Sequence, residues 1–83
     1  MTDREYTFID ELYFMQTAGS LGRNLGWSDE EVKEMLLLLH AKGWLKSMIG
    51  DEEFELSSNE LAADYQKYEY IASKKGLMAH NTI

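Results

Sequence analysis

A change of hydrophobic repeat lies within residues 32–56, which read VKEMLLLLHAKGWLKSMIGDEEFEL. Up to Gly43 the apolar residues recur every three or four positions, the spacing of a helix that buries one face: Val32, Met35, Leu36 and Leu39. Gly43 itself suits the left-handed conformation that ends a helix. Beyond it, Trp44 to Ile49 reads as a strand, Gly50-Asp51 is a tight-turn pair, and Glu53 to Leu56 alternates as a return strand, so the sequence predicts a β-hairpin over residues 44–56.

Capping signals predict helices on both sides of the hairpin. Three pairs have the spacing of a capping box, in which two side chains satisfy free amides at a helix start: Thr2 with Glu5, Ser28 with Glu31, and Ser57 with Glu60. The sequence therefore predicts one α+β domain over residues 1–83 that is mostly α. Its predicted helices span about 3–17, 18–25, 29–42 and 58–75, the last one stopped by Gly76, and residues 77–83 are expected to fray.

Two parts of the chain resemble a known family. Residues 21–32, LGRNLGWSDEEV, resemble the helix-turn-helix of bacterial and archaeal winged-helix transcription regulators. The run Lys42-Gly43-Trp44-Leu45 is similar to the point where the third helix of that family enters the wing, and Phe54-Glu55-Leu56-Ser57 is similar to the end of the wing. The resemblance implies a winged helix with a three-helix core, a two-stranded hairpin wing and a C-terminal fourth helix. It also implies DNA recognition by the third helix, with the wing touching the backbone or minor groove.

The charge of the chain opposes that implied DNA binding. Fifteen acids stand against eight bases, a formal net charge of −7, and a negative surface repels phosphates. The outward face predicted for the third helix carries Glu30, Lys33, Glu34, Leu37 and Ala41, whereas groove reading favours Arg, Lys, Asn and Gln. The predicted hairpin tip, residues 51–53, is also acidic. If DNA is bound, we expect the phosphate contacts to come from Arg23, Lys33 and Lys46.

The alternative to a DNA-binding regulator is a winged-helix module that binds another protein. Its predicted contact residues are the acids and the leucine of the same surfaces: Glu30, Glu34, Leu37, Asp51 and Glu52. A second reading of Leu37 makes it an ordinary apolar residue, partly covered by the first helix or the wing.

Tyrosines of the first and fourth predicted helices indicate a homodimer. Tyrosine suits interfaces because its ring is apolar and its hydroxyl forms hydrogen bonds, and the predicted interface residues are Tyr6, Phe14, Tyr65, Tyr68 and Tyr70. In the alternative reading, Tyr65 and Tyr68 close the core of a single chain. The exposure of Tyr70 distinguishes the two readings.

Several functional classes have no support in the sequence. The chain has no cysteine, so disulfides and thiolate metal sites are excluded. It contains no Gly-rich phosphate loop, no HExxH motif and no serine elbow, so we expect neither an enzyme nor a cofactor. His40 and His80 lack nearby ligand partners, and the acids of residues 51–55 do not follow calcium-loop spacing, so no metal is predicted. Without an apolar run of about 18–20 residues or a signal peptide, we expect a cytoplasmic protein with no membrane partner.

Overall fold

The computed structural model describes residues 1–82, which form five helices and four strands. The helices are α1 (Asp3–Glu11), α2 (Ala18–Leu25), α3 (Asp29–Lys42), α4 (Ser58–Asp64) and α5 (Lys74–Asn81). The strands are β1 (Gln16–Thr17), β2 (Leu45–Ile49), β3 (Glu52–Phe54) and β4 (Glu69–Ala72). The chain is thus α+β and mostly helical, in agreement with the class that the sequence predicts.

Local sequence accounts for where these helices begin and for the hairpin. All three predicted capping boxes are formed, at Thr2, Ser57 and Ser28. Gly43 takes the left-handed conformation after α3, with φ of 72°. Gly50 does the same in the hairpin turn, with φ of 59°, so that β3 folds back antiparallel to β2. An L side chain at either glycine would be strained.

The sheet contains a strand that the sequence analysis did not predict. The strand order is β1-β4-β2-β3, and every pairing is antiparallel. β4 therefore lies in the centre, between β1 and the hairpin. Paired residues of an antiparallel sheet share a face, which gives the sheet an inner face packed on the helices and an outer face. Ser47 and Tyr70 are paired on the inner face, whereas Lys46 and Ile71 are paired on the outer face.

The helix predicted over residues 58–75 is wrong. It ends at Asp64, and residues 69–72 form β4 instead. From Tyr68 to Ala72 buried and half-buried residues alternate, the period of a strand rather than of a helix. Hydrogen bonding to β1 and β2 on both sides satisfies the backbone of this aromatic-rich run. The predicted fourth helix of a winged helix is thereby replaced by a short helix, a central strand and a further helix.

Both ends of the chain also differ from the prediction. The first helix ends at Glu11, not near residue 17, because Gln16 and Thr17 pair with β4. Residues predicted to fray form α5 as far as Asn81, and Ile83 lies outside the described residues. Gly76, predicted as a helix stop, is buried inside α5.

The core lies between the inner face of the sheet and the first three helices. The three helices, the turn after α1 and the strand β4 contribute fully buried side chains, among them Phe8, Ile9, Leu12, Leu21, Leu36, Leu39 and Tyr70. α5 closes the side next to α1, where the buried His80 ring stacks on Tyr6 at 4.0 Å. The order of three helices followed by a hairpin is compatible with a winged helix, and the central position of β4 is an addition to the predicted architecture.

Candidate interaction surface

Helix α3 presents one exposed stripe, which we call the α3 stripe: Glu30, Glu34, Leu38 and Ala41. The opposite face of the helix holds the buried Val32, Met35, Leu36 and Leu39. Leu38 is 44% exposed, one turn after Glu34, so carboxylates and an apolar side chain are neighbours on one surface.

The two glutamates of the α3 stripe form no ion pair with another of the described residues. Within residues 1–82 the ion pairs join Arg4 to Glu31 and Lys42 to Glu5, and the His80 ring lies 3.7 Å from the Asp10 carboxylate. Neither Glu30 nor Glu34 takes part in them. The neighbouring Glu31 is different, because the Ser28 amide and hydroxyl, together with Arg4, lower the pKa of its carboxyl.

The flank of α3 beside the stripe is partly covered. The Nζ of Lys33 lies 5.8 Å from the ring centre of Tyr65, which follows α4. Leu37, one turn further along, is half-buried and packs against the core. The second reading of Leu37, an apolar residue that is partly covered, fits this placement better than an exposed contact does. The exposed leucine of α3 is Leu38.

Two of the three bases predicted to contact phosphate, Lys33 and Lys46, lie on different surfaces. Arg23 and Lys46 are exposed, but Lys46 lies on the outer face of the sheet whereas Lys33 lies against Tyr65. Two other bases are engaged within the chain. The Arg4 guanidinium lies 4.1 Å from the Trp27 ring centre and bonds Glu31, and the Lys42 ammonium bonds the Glu5 carboxylate.

The hairpin tip is an exposed acidic turn. Asp51, Glu52 and Glu53 are all solvent-exposed, so the two predicted protein-contact residues of the tip, Asp51 and Glu52, are accessible. In the described part of the chain, His, Asp and Glu side chains nowhere gather in threes as a metal ion would require.

A cleft opens at the base of the hairpin, next to the end of α3. The ladder between β2 and β3 ends at the pair Ser47–Phe54, and the two strands part beyond it. The gap has a volume of about 270 Å³. We call it the hairpin cleft; its lining residues include His40, Leu45, Ser47, Phe54 and Leu56.

Ser47, one of the residues that line the hairpin cleft, carries a buried polar group. Its side chain is on the inner face of the sheet and the residue is only 3% exposed. Its Oγ has no hydrogen-bond partner, although buried hydroxyls are nearly always bonded. His40, on the last turn of α3, is half-buried at the edge of the same cleft.

Two of the tyrosines predicted at a dimer interface belong to the core. Tyr70 is completely buried, and its hydroxyl donates to the Tyr65 carbonyl at 2.6 Å. Burial raises the pKa of that hydroxyl well above its ordinary value. Tyr68 is also buried and packs on Phe54, with the ring centres 5.7 Å apart. These side chains therefore cannot form a surface between two copies. The half-buried Tyr65 adds little to such a surface.

The other predicted interface residues lie on the surface. Phe14, three residues beyond the end of α1, is 79% exposed, and Tyr6 is partly exposed where it stacks on His80. The neighbours Tyr13 and Met15 are exposed as well. We call Tyr6, Tyr13, Phe14 and Met15 the α1 patch. Of the residues predicted at a dimer interface, the two that are exposed, Tyr6 and Phe14, belong to this patch.

Three of the residues that form these surfaces, Leu38, His40 and Ser47, are not among the predicted contact residues. Leu38 could have been found, because Glu30, Glu34 and Leu38 repeat every four positions. For His40 the sequence indicates only that no metal-ligand partner lies nearby. Nothing in the sequence distinguishes Ser47 from any other strand serine, since its missing partner depends on where the hairpin strands separate.

Comparison with known proteins places the chain in no family. No family model, no curated protein and no solved structure matches it. Of the helices described here, none is both long enough and apolar enough to cross a bilayer.

Proposed function

We propose that this chain is a non-enzymatic binding module of winged-helix type, and that its α3 stripe binds a basic protein partner. The observation that carries the proposal is the juxtaposition of two carboxylates, Glu30 and Glu34, with the exposed Leu38 on a stripe that has no base. A protein interface combines an apolar centre with a polar rim, and this stripe offers both within three helical turns.

Charge supports a protein partner over duplex DNA. A DNA-binding protein that makes about 6–10 phosphate contacts depends on that many well-placed bases. The chain has eight bases in all, of which Arg4 and Lys42 are bonded to carboxylates. The exposed acids of α3 and of the hairpin tip would face the phosphates. A partner rich in Arg or Lys meets the opposite condition, because its charge complements the α3 stripe.

The first experiment measures binding to random-sequence duplex DNA by fluorescence anisotropy. We expect a Kd of about 10⁻⁴ M or weaker at physiological salt. The measurement is repeated between about 50 and 200 mM salt, where counterion release would produce a steep loss of affinity. Binding that is both tight and steeply salt-dependent would overturn the proposal.

The second experiment uses a synthetic amphipathic peptide of Arg and Leu residues as the partner probe. The charge reversal Glu34→Lys should weaken its binding at least tenfold, since it replaces an attraction by a repulsion. Glu69→Lys is the matched control: it makes the same change of charge, but on the outer face of the sheet, and should have little effect. Equal losses in the two variants would show that only net charge matters, which contradicts a site on α3.

A sequence-specific DNA-binding transcription regulator is the second candidate function. The order of α1, α2, α3 and the hairpin favours it, together with the exposed Arg23 and Lys46. In that case, replacing Arg23, Lys33 or Lys46 by Ala should each reduce the salt slope of DNA binding by about 1. These variants should not affect the Arg–Leu peptide.

A further inference from the structure

Strand β3 has one free side. It lies at an edge of the sheet, where within residues 1–82 it pairs only with β2. Ile49 and Glu52 flank the two-residue hairpin turn and form a hydrogen-bonded pair. Bonded and non-bonded pairs alternate along an antiparallel ladder, so the next pair, Met48 with Glu53, is not hydrogen-bonded. The backbone amide and carbonyl of Glu53 therefore point away from β2, to the free side.

The free side of β3 is both accessible and acidic. Four exposed acids belong to the strand or flank it: Asp51, Glu52, Glu53 and Glu55. The hairpin has one base, Lys46, and none of the four acids forms an ion pair with another of the described residues. An exposed edge strand pairs readily with another extended segment. A second copy of β3 would bring acids opposite acids, which is unfavourable, whereas a basic segment complements the charge.

The two faces of the hairpin set the pattern of a strand added beside it. Glu53 pairs with Met48, two residues from Lys46, and therefore lies on the outer face of the sheet. Phe54 lies on the inner face, where it is half-buried and lines the hairpin cleft. Directly opposite residues of neighbouring strands share a face. The residue opposite Glu53 should accordingly be basic, and its neighbour opposite Phe54 should be apolar.

We propose that the free side of β3 binds an extended basic segment of the partner as an additional antiparallel strand. This inference rests on the proposed function for the charge of the partner, and it adds a contact separate from the α3 stripe. The residue opposite Glu53 exchanges two backbone hydrogen bonds with it, and its Arg or Lys side chain lies beside the Glu53 carboxylate. Backbone bonds hold the segment, and alternate side chains select it.

The test compares three peptides of alternating Arg and Val by isothermal titration with the whole chain. The first has ordinary amides, the second carries N-methyl groups on its arginines, and the third carries them on its valines. The charge is the same in all three. Because the arginines lie opposite Glu53, their amides bond β3, whereas the valine amides point away from it. We expect the second to bind at least tenfold more weakly than the third. Equal binding of the two would overturn the proposal.

Two variants of Glu53 separate the backbone bonds from the charge. Proline has no amide hydrogen but is accepted on the free side of an edge strand, so Glu53→Pro should keep its thermal midpoint near that of the original chain. It should weaken binding of the first peptide at least tenfold. Glu53→Gln keeps the amide and loses one exposed charge, so it should weaken binding only about two- to fivefold. Equal losses in the two variants would show that the amide is not used.

Amide hydrogen exchange tests the same contact without any substitution. A saturating amount of the first peptide should slow exchange of the Glu53 amide at least fivefold, because that amide gains a bond which the free chain lacks. The arginine-methylated peptide at the same concentration is the control and should leave the rate unchanged. An unprotected Glu53 amide in the presence of bound Arg–Val peptide would overturn the proposal, whatever the stability of Glu53→Pro.

The outcomes distinguish this inference from the proposed function. If the Arg–Val peptide does not bind while Glu34→Lys still weakens the Arg–Leu peptide, the strand proposal is wrong and the α3 stripe stands. If neither peptide binds, both fail. The last arm replaces the arginines of the first peptide by glutamine. A Gln–Val peptide that binds as tightly as the Arg–Val peptide would make β3 an acceptor for any strand and overturn the basic partner at this edge.

Discussion

Gly76 packs directly against the backbone of Trp44. A Cβ placed on Gly76 would overlap the Trp44 carbonyl oxygen and lie 3.0 Å from its carbonyl carbon. The same carbonyl accepts a hydrogen bond from the Ser73 amide at 2.9 Å. The first turn of α5 is thus fixed to the junction of α3 and β2, the point where the helical repeat gives way to the hairpin.

Gly76→Ala should destabilise the chain by about 3 kcal/mol, as overpacking against an immobile backbone does. Urea denaturation followed by circular dichroism measures the loss. Gly19→Ala is the control, since Gly19 lies in α2 and its nearest neighbour is the mobile tip of Arg23 at 3.3 Å. That substitution should stabilise by about 0.4–1 kcal/mol. If Gly76→Ala were as stable as the original chain, the close approach to Trp44 would not exist in solution.

Gly76 also shows how far local sequence can predict this fold. Gly43 and Gly76 both follow a lysine near the end of a predicted helix, and the same rule makes each a helix stop. The rule holds for Gly43, with φ of 72°. It fails for Gly76, whose lack of a side chain serves a contact with a residue distant in sequence. Local signals therefore predict caps and turns, but not close approaches between separate elements.

The central strand shows a second limit of sequence reasoning. Tyr65 and Tyr68 are three residues apart, which fits a helical stripe, whereas Tyr68, Tyr70 and Ala72 fit a strand. The choice depends on whether β1 and β2 are available to pair on both sides.

The α3 stripe is more predictable: because caps fix both ends of α3, the helical period gives its buried face and three of its four exposed members, Glu30, Glu34 and Ala41. The same period also places Lys33 and Leu37 outward, and these are half-buried because Tyr65 and the core cover that flank.

Glu5 and Lys42 form an ion pair whose carboxylate is buried. Burial raises the pKa of the Glu5 carboxyl, but hydrogen bonds from Lys42 Nζ and the Thr2 amide outweigh that effect, so the pKa lies below its ordinary value. Glu5→Gln keeps an acceptor for the Thr2 amide and loses the charge. It should destabilise by about 1–2 kcal/mol at neutral pH, less than a fully buried pair because Lys42 is partly exposed.

The lowered pKa of Glu5 also sets the direction of its pH dependence. The folded chain holds this carboxylate ionised more strongly than the unfolded chain does. Its contribution to stability is therefore present above the ordinary carboxyl pKa of 4.5 and is lost as the pH falls through the lower, folded value. Urea midpoints measured from neutral to acid pH should converge for Glu5→Gln and the original chain. A constant difference down to the lowest pH would contradict the assignment.

Tyr70 should make the chain sensitive to alkali. Burial raises the pKa of its hydroxyl, with smaller contributions from Tyr68 and Tyr65. The unfolded chain ionises this group near its ordinary pKa of 10.0, so the stability it contributes is present below that pH and is lost as the pH rises above it. Tyr70→Phe should cost about 1 kcal/mol at neutral pH, since the Tyr65 carbonyl loses its donor.

The test of Tyr70 is a comparison of alkaline unfolding curves. Tyr70→Phe should lose stability less steeply above pH 10 than the original chain. Tyr6→Phe, which changes an exposed tyrosine, is the control for general alkaline effects. Parallel curves for Tyr70→Phe and the original chain would show that the hydroxyl is accessible to solvent.

The α1 patch should join two copies of the chain. Phe14 is the most exposed of the large apolar side chains described here, and Tyr13 and Met15 flank it. Burying one such aromatic ring between two copies contributes about 1.5–3 kcal/mol to the free energy of association. That free energy corresponds to a factor of ten or more in the association constant. We expect light scattering to give a mass of about twice the 9.6 kDa of one chain. Because Phe14→Ser removes the ring, it should require at least tenfold higher concentration to reach that mass. Leu38→Ser removes an exposed leucine from the α3 stripe instead and should leave self-association unchanged. A single-chain mass at every concentration, or equal effects of the two substitutions, would refute a dimer built on the α1 patch.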